Sequence, residues 1–208
     1  MNNRSNRIYL ASRSPRRREL LRQIGVQFDL LVFRFGERGE DHDVDESPLP
    51  DETVEHYVER LALSKADAGF RRLRWRQLML RPVLSADTAL ALDDEIIGKP
   101  SSADEARTIL EKLSGRTHRV LTAVAMCDGM RTRSLVNVSE VRFRALNDAE
   151  IRRYVASAEP MDKAGAYGIQ GHAAVFIEEI RGSYSGIMGL PLFETAQLLE
   201  TFGYPVHA

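Results

Sequence analysis

The run from Asp162 to Gly171 is the segment whose residue types and spacing are best suited to binding chemistry. Three glycines fall within residues 165–171, and they alternate with groups that can bind a ligand. Because glycine tolerates positive φ and lets a backbone approach a ligand closely, this pattern predicts a binding loop held on a scaffold. Lys163 and Gln170 are its candidate substrate-binding side chains.

The rarity of lysine is a second indication of a binding site. The chain has 29 Lys plus Arg, of which only four are lysines: Lys65, Lys99, Lys112 and Lys163. Where arginine serves as the general cation, a retained lysine indicates a compact point charge that a planar guanidinium cannot replace. Three of the four lie inside distinctive local motifs, which makes chance retention of those three together a weaker explanation.

The segment Ser12–Arg17 combines a helix N-terminus with fixed positive charge. Ser14 and Pro15 predict an N-cap followed by the first helical position. Arg16 and Arg17 oppose the helix dipole there, so an anionic ligand would resolve the conflict. The alternative is a surface helix with ion-paired arginines. Ser14, Arg16 and Arg17 are therefore candidate substrate-binding residues.

Asp87 and Lys99 are candidate catalytic residues on neighbouring elements. The sequence places Asp87-Thr88 at the end of an apolar strand, where a carboxylate can bind a metal or activate water. Alone, this dipeptide is as typical of a turn as of a site. Gly98-Lys99-Pro100 follows the next predicted hairpin, which could return Lys99 to the neighbourhood of Asp87.

Two further candidates depend on their surroundings. Glu46 closes an acidic loop, so it is either a solvated acid or a Mg²⁺ ligand acting with substrate phosphates. Lys65 lies on the apolar face of a predicted helix, where it either snorkels or binds phosphate. His118 has no Ser or Asp partner pattern, which favours a structural or cleft-lining role.

Composition narrows the class of protein. The 208 residues are enough for a sizeable core, and 43% of them are hydrophobic and 28% charged, as in ordinary globular proteins. A net charge of −1 argues against nucleic-acid binding. No run of 18 apolar residues occurs, so no membrane association is expected. The single Cys127 reads as a buried thiol, and a cytoplasmic location is expected.

Periodicity predicts alternating strands and helices with hairpins mixed in. This pattern indicates a three-layer α/β fold with a mixed sheet, flanking helices and one domain over residues 1–208. The predicted strands are Ile8–Ala11, Phe28–Phe35, Val83–Ala86, a hairpin Leu90–Ile97, Val120–Met126, Leu135–Phe143 and Ala173–Ile180. The predicted helices start at Ser14, Asp51, Ser102, Asn147 and Pro191, and Gly36–Pro50 reads as an acidic loop.

In this order the motifs resemble the Maf family of nucleoside triphosphate pyrophosphatases. The resemblance implies an elongated sheet like that of inosine triphosphate pyrophosphatases, with two lobes around a central cleft. It also implies an enzyme that splits a nucleoside triphosphate into monophosphate and pyrophosphate, a divalent metal (Mg or Mn) and a homodimer. The residues that carry it are Leu10–Leu21, Asp45–Glu46, Tyr57–Ala66, Ser85–Thr88, Gly98–Pro100, Ser114–Thr122 and Glu159–Leu192. Phe33–Val44 is longer than is usual in the family.

Transferred to this chain, the resemblance implies roles for individual residues. Asp87 is the implied proton acceptor, and Glu46, Lys65 and Lys99 form a polar ring around the phosphates and the metal, with Glu46 and Asp87 as metal ligands. Arg16, Thr88 and Gln170 are the implied base-specificity positions. They match the dTTP/UTP subclass and not the subclass that acts on 7-methyl-GTP. A neutral Gln amide suits a pyrimidine edge because it both donates and accepts.

Two other functions stay open at the level of sequence. One is a nucleotide-binding regulator of cell division or septation without turnover, although pure binding needs no general base. The other is a pyrophosphatase of broad range that removes modified nucleotides.

Overall fold

A single sheet of seven strands organises the part of the chain that the computed structural model describes, residues 7–31 and 44–206. The strand order is β2-β1-β3-β5-β6-β7, with β4 paired to β3. β1 pairs in parallel with β2 and β3, and the other pairs are antiparallel. The strands are β1 Arg7–Leu10, β2 Gln27–Leu30, β3 Val83–Leu92, β4 Glu95–Ile97, β5 Thr117–Cys127, β6 Thr132–Phe143 and β7 Ile177–Arg181.

Six α-helices and three short 3₁₀ segments accompany the sheet in the described residues. The helices are α1 Pro15–Gln23, α2 Val54–Trp75, α3 Ala103–Leu113, α4 Asp148–Ala156, α5 Tyr184–Ile187 and α6 Leu192–Thr201. The 3₁₀ segments, Glu159–Asp162, Ala164–Ala166 and His172–Phe176, follow one another after α4. None of the helices in residues 7–31 and 44–206 is long and apolar enough to cross a membrane.

The helices cover both faces of the sheet, which confirms the predicted three-layer α/β fold with a mixed sheet. Within the described residues one face carries α2, and the contact is built largely from alanines such as Ala62, Ala66, Ala89 and Ala123. The other face carries α1 and α6 at one end and α3 and α4 at the other, around larger side chains. Small side chains bring the α2 backbone close to the sheet, so residues of α2 can contact polar groups on β3.

Local signals predicted the helix starts well. Ser14 caps α1, with Pro15 in the first turn, and Asn147 with Glu150 forms a full capping box for α4. Ser102 caps α3, but the Glu105 carboxylate turns back to the Ser101 amide and not to that of Ser102. α2 begins three residues after the predicted Asp51, because the Thr53 hydroxyl caps it.

The strand predictions need three corrections. Val83–Ala86 and the first arm of the hairpin are one continuous strand, β3, so Asp87-Thr88 lies in mid-strand and not at a strand end. Residues 172–176 are 3₁₀ helix, so the last strand begins only at Ile177. β2 ends at Leu30, and residues 32–43 lie outside the described part of the chain. They include the rest of the predicted strand after Leu31, most of the acidic loop, and the long Phe33–Val44 segment except Val44.

Candidate active site

A cleft of about 850 Å³ opens where the edge of β3 has no partner strand in the described residues. On that edge β1 pairs with β3 only at Val83 and Leu84, and β4 pairs with it only from Leu90 onwards. The side chains of β3 between these two pairings alternate between the faces of the sheet. Asp87 and Thr88 both line the cleft, so it receives side chains from both faces.

Asp87 projects toward α2 and meets Lys65 there. The Lys65 Nζ donates to Asp87 Oδ1 at 2.6 Å and forms an ion pair with Glu46 Oε1, also at 2.6 Å. The side chains of Asp87 and Lys65 are 12% and 19% exposed, whereas that of Glu46 is 56% exposed. One ammonium therefore brings both predicted carboxylates together.

Contacts with α2 hold the backbone at Glu46 and at the residue that follows it. The Tyr57 hydroxyl donates to the Glu46 carbonyl at 2.9 Å, and Arg60 donates to the Ser47 carbonyl at 3.1 Å. Burial alone would raise the pKa of Glu46, but the Lys65 ammonium, with smaller contributions from the charges of Lys99 and Arg17, holds that pKa below its usual value. The Glu46 carboxyl therefore stays ionised at neutral pH.

The N-terminus of α1 forms the wall of the cleft beside Thr88. Ser14, Arg16 and Arg17 all line it. Arg17 binds the protein extensively: Nε donates to the Gly189 carbonyl at 2.7 Å, Nη1 to the Ala86 carbonyl at 2.7 Å, and Nη2 to Thr88 Oγ1 at 3.2 Å. Burial lowers the pKa of Arg17, partly offset by Asp87 and Glu46. Arg17 thus fastens α1 to the open edge of β3.

The glycine-rich run forms another part of the wall, and only one of its glycines has the positive φ that the sequence argument invoked. Gly165 has φ +72°, whereas Gly168 and Gly171 are needed for space. A Cβ on Gly168 would lie 2.8 Å from Lys163 Cε, and one on Gly171 would lie 1.9 Å from Glu159 Oε1. The glycines therefore let the loop fold over Lys163 and Glu159.

Lys163 and Gln170 differ in their placement. Lys163 lines the cleft, with a side chain only 11% exposed, and its ammonium donates to the Glu159 carbonyl at 2.5 Å and pairs with Asp162 at 2.6 Å. Gln170 is exposed and follows the wall residues Gly168 and Ile169, but it is not among the residues that line the cleft. The structure thus brings Lys163 to the site and leaves Gln170 at its margin.

The lysine pattern matches this geometry. Lys65, Lys99 and Lys163 all line the cleft, and Lys99 is exposed within it. The fourth lysine, Lys112, lies on α3 and pairs with Glu95 at 3.1 Å on the surface. The hairpin β3–β4 returns Lys99 to the cleft of Asp87, as the sequence predicted.

His118 is a buried structural residue, and not a base exposed to the cleft. It is 1% exposed, and its Nε2 lies 2.8 Å from the hydroxyl of Tyr167, which does line the cleft. The rings of His118, Phe143 and Tyr167 pack edge to face. Burial lowers the pKa of His118 to about 4, so the imidazole is neutral at pH 7. Cys127 is also buried, as predicted.

A divalent cation fits the donor set of this site. Among residues 7–31 and 44–206 no group of three or more His, Cys, Asp or Glu side chains converges as a ready metal cage. Mg²⁺, however, commonly takes only one or two carboxylates and completes its shell with water and substrate phosphates. Glu46 and Asp87 already gather around one positive charge, that of Lys65, which is consistent with their holding a cation between them.

Sequence reasoning gave no individual role to several residues of the site, although they lie inside the motifs that carry the family resemblance. Tyr57 precedes Lys65 by eight residues, which puts both on one face of α2, so helical spacing could have found it. Thr122 is a polar residue inside the apolar run of β5, and its partner Gly186 comes from the distant helix α5. Ile187, Met188 and Gly189 line the cleft without any polar signature that could have marked them.

Comparison with known proteins identifies the family of this fold and cleft. The model of the family described as Maf-like protein matches residues 7–202, and the chain belongs to that family. A protein of Aromatoleum aromaticum named dTTP/UTP pyrophosphatase is 74% identical over 96% of this chain and 97% of its own length. One of the same name from Dechloromonas aromatica is 56% identical over 95% and 98%. The Staphylococcus aureus Ham1 protein structure aligns at TM-score 0.45 with 20% identity, covering 66% of this chain and 71% of that one.

Proposed function

We propose that this protein is a nucleoside triphosphate pyrophosphatase that hydrolyses dTTP and UTP to the monophosphate and pyrophosphate. The observation that carries the proposal is the cleft itself, in which a mostly buried carboxylate, Asp87, lies among cations from separate elements. A triphosphate brings several negative charges, and Lys65, Lys99, Lys163 and Arg16 offer matching positive charge. The names of the high-identity relatives support the same substrates.

The proposed chemistry assigns the residues as follows. A water oxygen attacks the α-phosphorus, the bond from that phosphorus to the bridging oxygen breaks, and pyrophosphate leaves. Asp87 accepts the proton of the attacking water. Lys65, Lys99 and Lys163 stabilise charge on the phosphate oxygens, and the first turn of α1 with Ser14, Arg16 and Arg17 provides further N–H donors and positive charge. Arg16, Thr88 and Gln170 are proposed to contact the base.

The proposal includes a divalent cation held by Glu46 and Asp87. Bound there, Mg²⁺ or Mn²⁺ would neutralise phosphate charge and polarise the phosphorus that is attacked. Lys65 would hold the two carboxylates in place whether or not the cation is bound.

A product assay tests the proposal. The purified protein is incubated with dTTP, UTP, CTP, GTP and 7-methyl-GTP in the presence of Mg²⁺ or Mn²⁺, and pyrophosphate and orthophosphate are measured separately. We expect stoichiometric pyrophosphate and monophosphate from dTTP and UTP. Orthophosphate alone would indicate another phosphohydrolase. Binding without product would indicate a regulator, and equal rates across all five would indicate a broad-range enzyme.

The assembly, location and domain predictions extend this proposal. The family resemblance supports a homodimer in the cytoplasm that acts without nucleic acid or a membrane. Two observations support one domain. The described strands form a single sheet, and residues near both ends of the described chain line the same cleft. Light scattering after size-exclusion chromatography measures the mass against 23.5 kDa for one chain, and twice that value is expected.

A further inference from the structure

A directed chain of hydrogen bonds runs from Arg17 through two threonine hydroxyls to α5. Arg17 Nη2 donates to Thr88 Oγ1 at 3.2 Å, Thr88 Oγ1 lies 3.0 Å from Thr122 Oγ1, and Thr122 Oγ1 donates to the Gly186 carbonyl at 2.8 Å. Thr88 and Thr122 are directly opposite each other on β3 and β5. Thr122 is fully buried, and Thr88 is the member of the pair that reaches the cleft.

The direction of every bond follows from the donor inventory. A carbonyl only accepts, so Thr122 donates its single hydroxyl proton to the Gly186 carbonyl. The bond between the two threonines must then use the proton of Thr88. A guanidinium only donates, so Arg17 occupies one of the two lone pairs of Thr88. Thr88 is left with one free lone pair and no free proton, and it therefore presents an acceptor alone to the cleft.

We propose that Thr122 is a specificity-determining positioning residue, which holds Thr88 as an acceptor for the N3–H of a uracil or thymine base. This inference rests on the proposed hydrolysis of UTP and dTTP. Uracil and thymine carry a proton on N3, whereas cytosine has a lone pair there. An acceptor on Thr88 pairs with the first two bases and opposes the lone pair of cytosine. The chain of hydrogen bonds thus selects against CTP without any size difference between the rings.

Substitution of Thr122 separates this role from a structural one. In Thr122→Val the Thr88 hydroxyl loses its acceptor on β5 and can turn its proton toward the base. The ratio of kcat/KM for UTP to that for CTP should fall by about tenfold, a change of the size expected when one buried hydrogen bond is lost. Thr122→Ser keeps the hydroxyl and should retain the ratio of the unmodified protein.

A matched control comes from the neighbouring strand. Ser85 on β3 is also fully buried, and it donates to the Ala62 carbonyl at 2.6 Å without touching the chain of hydrogen bonds. Ser85→Ala should destabilise the fold as any lost buried hydrogen bond does, yet leave the UTP-to-CTP ratio unchanged. If Thr122→Val lowers kcat/KM for both nucleotides by the same factor, Thr122 is structural and the inference is overturned.

Two additions keep the test decisive. If Thr122→Val does not fold, Thr88→Val removes the acceptor and leaves the Thr122 bond to Gly186 intact. This substitution must lower kcat/KM for UTP more than for CTP, and an equal loss overturns the inference.

Calorimetric affinities for UTP and CTP are measured alongside turnover. A protein that discriminates in binding but releases no pyrophosphate would contradict the proposed function only. One that binds both nucleotides equally would contradict the inference only.

Discussion

Lys65 shows how far residue chemistry alone can define a site. Its ammonium lies 2.6 Å from both Glu46 and Asp87, so a single cation is shared between two acids and offsets part of their charge before any ligand arrives. Breaking a partly buried pair by removing one partner leaves an uncompensated charge, which is typically more costly than replacing both. Conservative changes in this cluster are therefore the informative ones.

Asp87→Asn is expected to abolish turnover while the fold persists. Asparagine keeps the shape and can still accept a hydrogen bond from Lys65, but it cannot take a proton from water. Loss of a general base typically lowers kcat by about 10²–10⁴. The measurement is pyrophosphate release from UTP, with circular dichroism and thermal melting as the check on folding. A folded Asn variant with nearly full activity would remove Asp87 from the mechanism.

Lys99→Arg is expected to reduce activity although the charge is kept. Lys99 is exposed within the cleft between Gly98 and Pro100, where a planar fork cannot replace a compact ammonium in contact with phosphate. We expect kcat/KM to fall by roughly tenfold, or about 1.4 kcal/mol. Lys112→Arg on the surface of α3 is the matched control and should change nothing. Equal kinetics in the two variants would show that Lys99 does not contact phosphate.

At the scale of elements, the sequence predicted helices better than strands because their signals are local. The caps of α1 and α4 involve residues three positions apart, so a short window contains the whole interaction. The continuity of β3 was missed because Asp87 and Thr88 are polar and read as the end of an apolar run. They remain inside a strand because Lys65 and Thr122, from other elements, satisfy them. Partners that lie far away in the sequence cannot be predicted from a local sequence pattern.

The glycine-rich run was recognised as a wall of the site, but only partly for the right reason. Gly165 does require positive φ, whereas Gly171 is required because the Glu159 carboxylate occupies the place of a side chain. That carboxylate also accepts from the Tyr154 hydroxyl at 3.0 Å and from the His172 amide at 3.1 Å. Glu159 thereby ties α4 to the end of the loop.

Gly171→Ala is expected to displace this loop. The new Cβ would fall 1.9 Å from Glu159 Oε1, so either the carboxylate or the backbone must move. Overpacking of this kind costs about 1–3 kcal/mol. Thermal melting should register the loss, and KM for UTP should rise if the loop contributes to nucleotide binding.

Gly98→Ala is the control for that change. A Cβ at Gly98 meets nothing within 4 Å, although Gly98 also lines the cleft. We expect its melting temperature to stay close to that of the unmodified protein. Equal destabilisation by the two substitutions would mean that the contact with Glu159 is not the cause.

At the scale of the whole molecule, the cleft results from incomplete pairing along one strand. β1 and β4 share the same edge of β3 and, in residues 7–31 and 44–206, no strand pairs with the stretch between them, so side chains from both faces of the sheet meet there. Of the ten candidate site residues that the sequence motifs predicted, nine line the cleft. The motifs could not predict the mid-strand position of Asp87 or the marginal position of Gln170, since both depend on strand register and on how the loop after Lys163 packs.

The buried imidazole of His118 makes the stability of the protein depend on pH in acid. His118 is 1% exposed beneath the cleft residue Tyr167, and burial lowers its pKa from the ordinary 6.5 of a histidine to about 4. Between those two values the unfolded chain binds a proton that the folded chain does not. The free energy of unfolding therefore rises with pH through this window and is fully restored above 6.5.

His118→Gln is expected to flatten that dependence. Glutamine retains an amide that can hydrogen-bond the Tyr167 hydroxyl, but it does not titrate. Urea unfolding of both proteins at several pH values between 4 and 7.5 gives the difference in their free energies of unfolding. The contributions of the carboxylates cancel in this difference, because both proteins contain the same carboxylates. Relative to its value at pH 7.5, this difference should shift in favour of the variant by up to about 3 kcal/mol near pH 4. Parallel curves across the window would show that another group governs the acid response, and that His118 does not destabilise the fold when it is protonated.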